Sequence, residues 1–362
     1  MSRKIYILTF HWATNYGAVL QSYALQQYLI QQYGDNVEII NYIPKGYEKT
    51  FCRSFNIRSA QKTLLNIKEY YKEKKFKRFR KENLLLTREF RSSKEIMQNQ
   101  WEQAVYIAGS DQIWNPFFTM KGEKKPVGVY YLDFAPEKSI KISYAASFGT
   151  EKINEDMQKF IQKKLEGFNL LTVRENSGRE IISRMDLNSK LVCDPVFLHK
   201  RGFYEKLFAQ EIRKNRKNFI FSYLLHGKQE NAENLLKRIS EKLKIEVRRP
   251  ITISIEEWLQ NICESEIVVT NSFHAVAFSL IFQVPFIAVL IEGSGMNDRI
   301  LTLLQSVNLE ERAVLRWSED KVDEILNKPI DWGKVNESIE EKKNFSTYLL
   351  EQSIRGKNDG NL

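Results

Sequence analysis

Cysteine is nearly missing: Cys52, Cys193 and Cys263 are the three in 362 residues, and no two form a C-x-x-C pair. That excludes a disulfide framework and a zinc knuckle, and points to a reducing, cytoplasmic setting. Histidine is as sparse, and His11, His199, His226 and His274 show no H-x-x-x-H spacing, so no metal site is expected. Eight prolines and 16 glycines are too few for collagen or low-complexity disorder. Long apolar runs are absent too. The longest, residues 275–291, is broken by Gln283 and Pro285 and reads as a helix followed by a buried strand, not a membrane span. The basic start, Met1-Ser2-Arg3-Lys4, leads into an apolar stretch that stops near Phe10 without an A-x-A pattern, so no signal peptide is expected. Three signatures are lacking as well: a P-loop, a G-x-G-x-x-G after the first strand, and G-x-S-x-G. ATP hydrolysis, dinucleotide redox chemistry and α/β-hydrolase catalysis lose their support, and no cofactor is expected.

What is present is length and positive charge. At about 150 residues per domain the chain makes two domains, each able to bury a core. Lys and Arg number 55 against 45 Asp and Glu, a formal charge of +10. Nucleic acid, an anionic membrane surface and a phosphorylated small molecule all suit that sign. Much of the surplus lies in a long helical pattern at about 57–90, where seven of the ten residues from Lys72 to Lys81 are basic. Phe76 and Phe79 fall there at helical spacing. The run reads either as a solvated helix with a narrow packing stripe or as a cationic face for anionic lipid headgroups. No nucleic-acid module accompanies it, so nucleic acid is not an expected partner.

Apolar runs such as Ile5-Tyr6-Ile7-Leu8, Val105-Tyr106-Ile107-Ala108 and Ile267-Val268-Val269-Thr270 read as buried strands, with helical patterns between them. The β-α-β alternation predicts parallel sheets in an α/β fold. The expected organisation is an N-terminal Rossmann-like domain over 1–195 carrying the basic insertion, a C-terminal one over 196–350, and a flexible tail over 351–362. The two would face each other across a cleft. Ligands in such sheets sit beyond the carboxyl ends of the strands. That places Asn15, Tyr16 and Gly17 after the first strand, Ser110 and Asp111 after the third, Arg174 after another, and Asn271 and Ser272 after Thr270 at a candidate site.

His274 follows in the first turn of a helix, where the macrodipole favours an anion beside the imidazole. Arg174 and Arg299, the latter behind a glycine-containing loop, are the candidate cations for a carboxylate or phosphate. Asp111 is the candidate base, although an aspartate there also suits a turn cap.

Six segments, in order, resemble the motifs of the polysaccharide pyruvyl transferase family: Asn15-Tyr16-Gly17-Ala18-Val19-Leu20-Gln21, Gly109-Ser110-Asp111-Gln112-Ile113-Trp114-Asn115, Tyr144-Ala145-Ala146-Ser147-Phe148-Gly149, Val173-Arg174-Glu175, Asp194-Pro195-Val196 and Thr270-Asn271-Ser272-Phe273-His274. The resemblance spans about residues 5–310. It implies a GT-B-like pair of Rossmann-like domains, phosphoenolpyruvate as donor and a saccharide acceptor, lipid-linked or free, that becomes a pyruvate ketal. The family's histidine motif falls on His274. Many members carry Arg two residues earlier, where this chain has Ser272, so Arg299, Arg174 or the helix N-terminus must supply that anion contact. The rival expectations are a nucleotide-sugar glycosyltransferase of GT-B type and a non-catalytic assembly component held at the membrane by the basic helix.

Overall fold

The computed structural model describes residues 3–47, 60–208, 218–225 and 230–356, apart from the side chains of residues 60–66. Cys52, His226, residues 57–59 of the expected insertion and residues 357–362 of the expected tail lie outside them.

Short apolar runs set the strands. β1 (Ile5–Leu8) and, after β2 (Val37–Ile39), β3 (Val105–Ala108) are apolar runs, and both β1 and β3 are buried at every position. Such strands need cover on both faces, which a parallel sheet with flanking helices provides. Together with β4 (Ile140–Ser143) they form a parallel sheet in the order β2-β1-β3-β4. β5 (Thr172–Val173) and β6 (Lys190–Leu191) pair with each other, and parallel bridges at Ile142–Leu170 and Ala146–Val173 join β5 to the β4 edge. The chain steps from β1 outward to β2, then returns past β1 to β3. Right-handed crossovers in the two directions put helices on opposite faces, and the carboxyl ends of β1 and β3 flank the crevice where such sheets take ligands.

A second parallel sheet follows, built from β7 (Phe219–Tyr223), β8 (Glu246–Arg248), β9 (Ile267–Thr270), β10 (Phe286–Val289) and β11 (Ala313–Val314) in the order β11-β10-β9-β7-β8. Its strand order reverses between β7 and β9. Each sheet has its own core: Leu8, Tyr106, Trp114, Phe148 and Val173 in one, Ile220, Leu235, Val269, Val289 and Val322 in the other.

The chain divides into two compact units, the first of Met1–Asn66, Lys77–Leu198 and Glu341–Leu362, the second of Ile67–Phe76 and His199–Glu340. This differs from the expected linear split at 195. The turn Pro195–Leu198 is buried and packs against the helix Tyr16–Tyr33, which carries the first unit past that point. Residues 351–355, expected in a flexible tail, instead complete the helix Trp332–Arg355. Tyr28 OH donates to Glu351 Oε1 at 2.7 Å, Cys193 N donates to Ser346 Oγ at 3.0 Å, and Leu349, Leu350 and Ile354 are buried. The expected basic insertion contains the helix Ala60–Asn83, with Phe76 and Phe79 fully buried as its packing stripe. No described helix is long and apolar enough to cross a membrane.

Candidate functional site

In the first unit the loops after β1 and β3 are stitched together. Thr9 Oγ1, just past β1, donates to Ser110 O at 2.8 Å, and Gln21 Nε2 donates back to Thr9 Oγ1 at 2.8 Å. Gln21 lies on the helix Tyr16–Tyr33, whose first turn is fixed by Asn15: its side-chain Oδ1 accepts from Ala18 N at 3.1 Å. Asn15 thus satisfies one of the orphan donors of a helix start. Tyr16 and Gly17, expected at the site, are the buried first residues of this helix.

The loop after β3 passes through Asp111 with φ of +73°, a left-handed conformation that aspartate tolerates better than most residues. Asp111 O accepts from Ser147 N at 3.0 Å, tying this loop to the one after β4. At the end of that second loop Gly149 has φ of +61°, a conformation that favours glycine, and a Cβ there would push aside the Gln112 side chain, whose Oε1 would stand 2.0 Å away.

Arg174, the residue after β5, joins these loops. Its Nη1 donates to Asp194 Oδ2 at 2.8 Å and to Ser110 Oγ at 3.3 Å, and Ser110 Oγ donates to the same Asp194 oxygen at 2.9 Å. Its Nη2 donates to Asp111 Oδ1 at 3.3 Å, and its Nε lies 3.5 Å from Glu175 Oε2. Glu175 Oε1 accepts from Phe148 N at 3.0 Å, and Asp194 Oδ1 accepts from Val196 N at 3.2 Å. Burial alone would lower the Arg174 pKa, but the carboxylates of Asp194, Asp111 and Glu175 outweigh it and hold the guanidinium pKa above its ordinary value. The side chains of Arg174, Glu175 and Asp194 are at most 1% exposed, whereas that of Asp111 is 13% exposed. Asp111 is therefore the member of the cluster that reaches solvent. Arg174 was expected to grip a ligand's carboxylate or phosphate; in this structure it is sunk among the protein's own carboxylates.

Beside this cluster, His11 is buried between the ends of β1 and β2, with Nδ1 3.2 Å from Thr9 O and Nε2 3.0 Å from Asn41 Oδ1. Desolvation holds its pKa down to about 4, so the ring is neutral. A neutral ring donates only once, so the tautomer decides which of these two oxygens accepts from it.

In the second unit β9 ends at Thr270 and Asn271. The Asn271 amide clamps the strand end across the reversal point: Oδ1 accepts from Leu225 N at 2.6 Å and Nδ2 donates to Leu225 O at 2.9 Å. Ser272 caps the helix Phe273–Phe282, its Oγ accepting from Ala275 N at 3.4 Å, and its own N donates to Thr270 Oγ1 at 3.0 Å. His274 is the second residue of that helix, 6% exposed, with its ring edge-on to Phe273 at 5.1 Å. The ten-residue helix directs the positive end of its dipole at this turn. Arg299 lies on the helix Asn297–Gln305, which packs against the His274 helix. Asn297 repeats the Asn271 device, with Oδ1 accepting from Ile291 N at 3.0 Å and Nδ2 donating to Ile291 O at 2.7 Å.

The structure thus gathers Ser110, Asp111 and Arg174 into one cluster and Asn271, Ser272 and His274 onto one strand-to-helix turn. Four of the six ordered motifs meet in the first cluster, and the sequence profile of the polysaccharide pyruvyl transferase family matches residues 15–292. The chain belongs to the polysaccharide pyruvyl transferase family. It is a transferase enzyme of polysaccharide pyruvylation. All six motifs lie inside the matched region, and Arg299 lies beyond it. No curated protein matches the sequence.

Among solved structures the chain resembles UDP-GlcNAc 2-epimerase of Methanocaldococcus jannaschii, in complex with UDP-GlcNAc and UDP, at a TM-score of 0.53 and 13% identity over 95% of this chain and 99% of that one. MnaA of S. aureus, solved with UDP, gives 0.53 and 10% over 98% and 96%. The UDP-GlcNAc 2-epimerase of Neisseria meningitidis gives 0.50 and 8% over 97% and 99%. At such identities the likeness establishes the fold, a GT-B arrangement of two Rossmann-like units.

Sequence reasoning about this pyruvyl transferase missed Asp194 and Glu175 as partners of Arg174, although both stand within the motifs. A carboxylate directly after an arginine at a strand end was the available signal. Asn297 and His11 carried none that a single sequence displays.

Proposed function

We propose that the protein moves the pyruvyl group of phosphoenolpyruvate onto a sugar of a surface polysaccharide or its lipid-linked precursor, at the cytoplasmic face of the membrane, forming a pyruvate ketal and releasing phosphate. The observation that carries this reading is His274, seated in the first turn of a capped helix at the carboxyl end of β9, within the region that the family profile matches. An imidazole there can give a proton while the helix N-terminus steadies an anion. Proton transfer from His274 to the methylene carbon of phosphoenolpyruvate turns it into a methyl group and leaves oxocarbenium character at C2. A sugar hydroxyl oxygen bonds to C2, and its proton goes to Asp111. A second hydroxyl then bonds to the same carbon as the C2–O bond to phosphate breaks, and the phosphate leaves with that proton.

The donor's carboxylate and phosphate fall to Arg299 and the Ser272-capped helix start, with Ser272 in place of the family's frequent arginine. Arg174 orients the Asp111 carboxylate from beneath instead of touching the donor. Asn15, Tyr16, Gly17, Ser110 and Asn271 shape the loops around the substrates.

Incubation with phosphoenolpyruvate and a panel of free and lipid-linked saccharides should yield a pyruvate ketal by mass spectrometry with one phosphate per ketal. His274→Gln should lower turnover by about 10²–10⁴, the range for a lost general acid, with an unchanged melting profile. Full activity in that variant would remove His274 from the mechanism, and stabilisation by UDP-sugars but not by phosphoenolpyruvate would favour glycosyl transfer.

A further inference from the structure

The helix Ala60–Asn83 has a second face whose composition its packing does not explain. At about 100° per residue, the buried Phe76 and Phe79 mark the packed side. Lys75 helps pin the helix by donating to Glu257 Oε2 at 2.9 Å. The opposite side carries Ile67, Tyr70 and Tyr71 at one end and Lys74, Lys77, Arg78 and Lys81 at the other, all exposed. Ile67, Tyr70 and Tyr71 are 39%, 49% and 54% exposed, and the tyrosine rings meet edge to face at 5.7 Å. Glu82 lies at one edge of this side, and Arg78 pairs with it at 3.8 Å. Glu73 lies at the opposite edge, as far from the centre of this side as Glu82, and Glu69, exposed, falls toward the packed side by the same count.

We infer that this outer face docks on an anionic lipid bilayer, with the four cations over the headgroups and Ile67, Tyr70 and Tyr71 set into the interface. Charge complementarity selects the partner: Lys74, Lys77, Arg78 and Lys81 stand on this side, and its acidic residues, Glu73 and Glu82, lie only at its edges. The exposed apolar residues fix the class further. Tyrosine places an apolar ring and a polar hydroxyl at the depth where a bilayer changes from hydrocarbon to headgroup. A single-stranded nucleic acid would instead call for aromatics interleaved with the cations as stacking platforms. This inference deepens the proposed function by bringing the enzyme to a lipid-linked acceptor, and rests on that reading for its purpose alone.

The test is sedimentation of the full-length protein with vesicles of phosphatidylglycerol and phosphatidylcholine, without donor or acceptor. Binding should exceed that to pure phosphatidylcholine and fall as salt rises. Lys74→Glu, Lys77→Glu and Lys81→Glu together should weaken it by at least about tenfold. Tyr70→Ser with Tyr71→Ser should weaken it several-fold while leaving its salt dependence in place. Equal binding to neutral vesicles, unchanged binding by the triple variant, or displacement from vesicles by a thymidine oligonucleotide would each overturn the inference. Transfer to a soluble saccharide by the triple variant separates the two proposals, since ketal formation persists if only the docking face is lost.

Discussion

Arg174 holds together three carboxylates that would otherwise repel one another, with a side chain 1% exposed. Removing one partner of a buried charge cluster strands the others, so Arg174→Met should cost about 3–5 kcal/mol in urea denaturation. A loss below about 1 kcal/mol would show that the carboxylates do not depend on it. Lysine is no substitute, because a point charge cannot reach Asp194, Asp111 and Ser110 together as the planar fork does. His11 makes a prediction of opposite chemistry. Burial lowers its pKa from 6.5 to about 4, so below pH 6.5 the unfolded chain binds the proton that the folded one refuses. The stability His11 contributes is complete above pH 6.5 and is lost as pH falls toward 4, by up to about 3 kcal/mol at 1.36 kcal/mol per pH unit. Chemical denaturation across that window should show this slope in the native protein and a flatter one in His11→Gln; parallel curves would contradict it.

Among the elements, the helix Tyr16–Tyr33 depends on a polar side chain at its start because it is buried nearly all round. Asn15→Ala should destabilise by about 1 kcal/mol and Asn15→Ser should restore most of that, read from denaturation midpoints. Equal midpoints for Ala and Ser would mean that the cap contributes nothing. The strands most directly legible in the sequence were the apolar runs: β1, β3, β9 and β10 are fully buried and announce themselves. β8, largely exposed, and β11 and β6, two residues each, escaped because short edge strands bury too little to leave a pattern. The site divides the same way. His274 and Arg174 were visible because each closely follows an apolar run, whereas the partners of Arg174 at Asp194 and Asp111 lie 20 and 63 residues away and meet it only in the folded sheet.

At the scale of the whole molecule, two α/β units were legible because two β-α-β series of similar size follow one another, and the GT-B class came with the family resemblance. The division between the units was not, because it is no single point in the sequence. Composition gives no hint that residues 341–356 leave the second unit and join the first, since the helix Trp332–Arg355 carries the alternating polar and apolar pattern of any surface helix. Its consequence is one of timing. A ribosome delivers the strands β1 to β6 first, yet the surface around Tyr28 and Cys193 stays uncovered until the whole second unit has emerged, a wait on the order of ten seconds at cellular translation speeds. The unit made first is finished only after the second, and the nascent chain must keep that patch from other partners until the helix Trp332–Arg355 arrives.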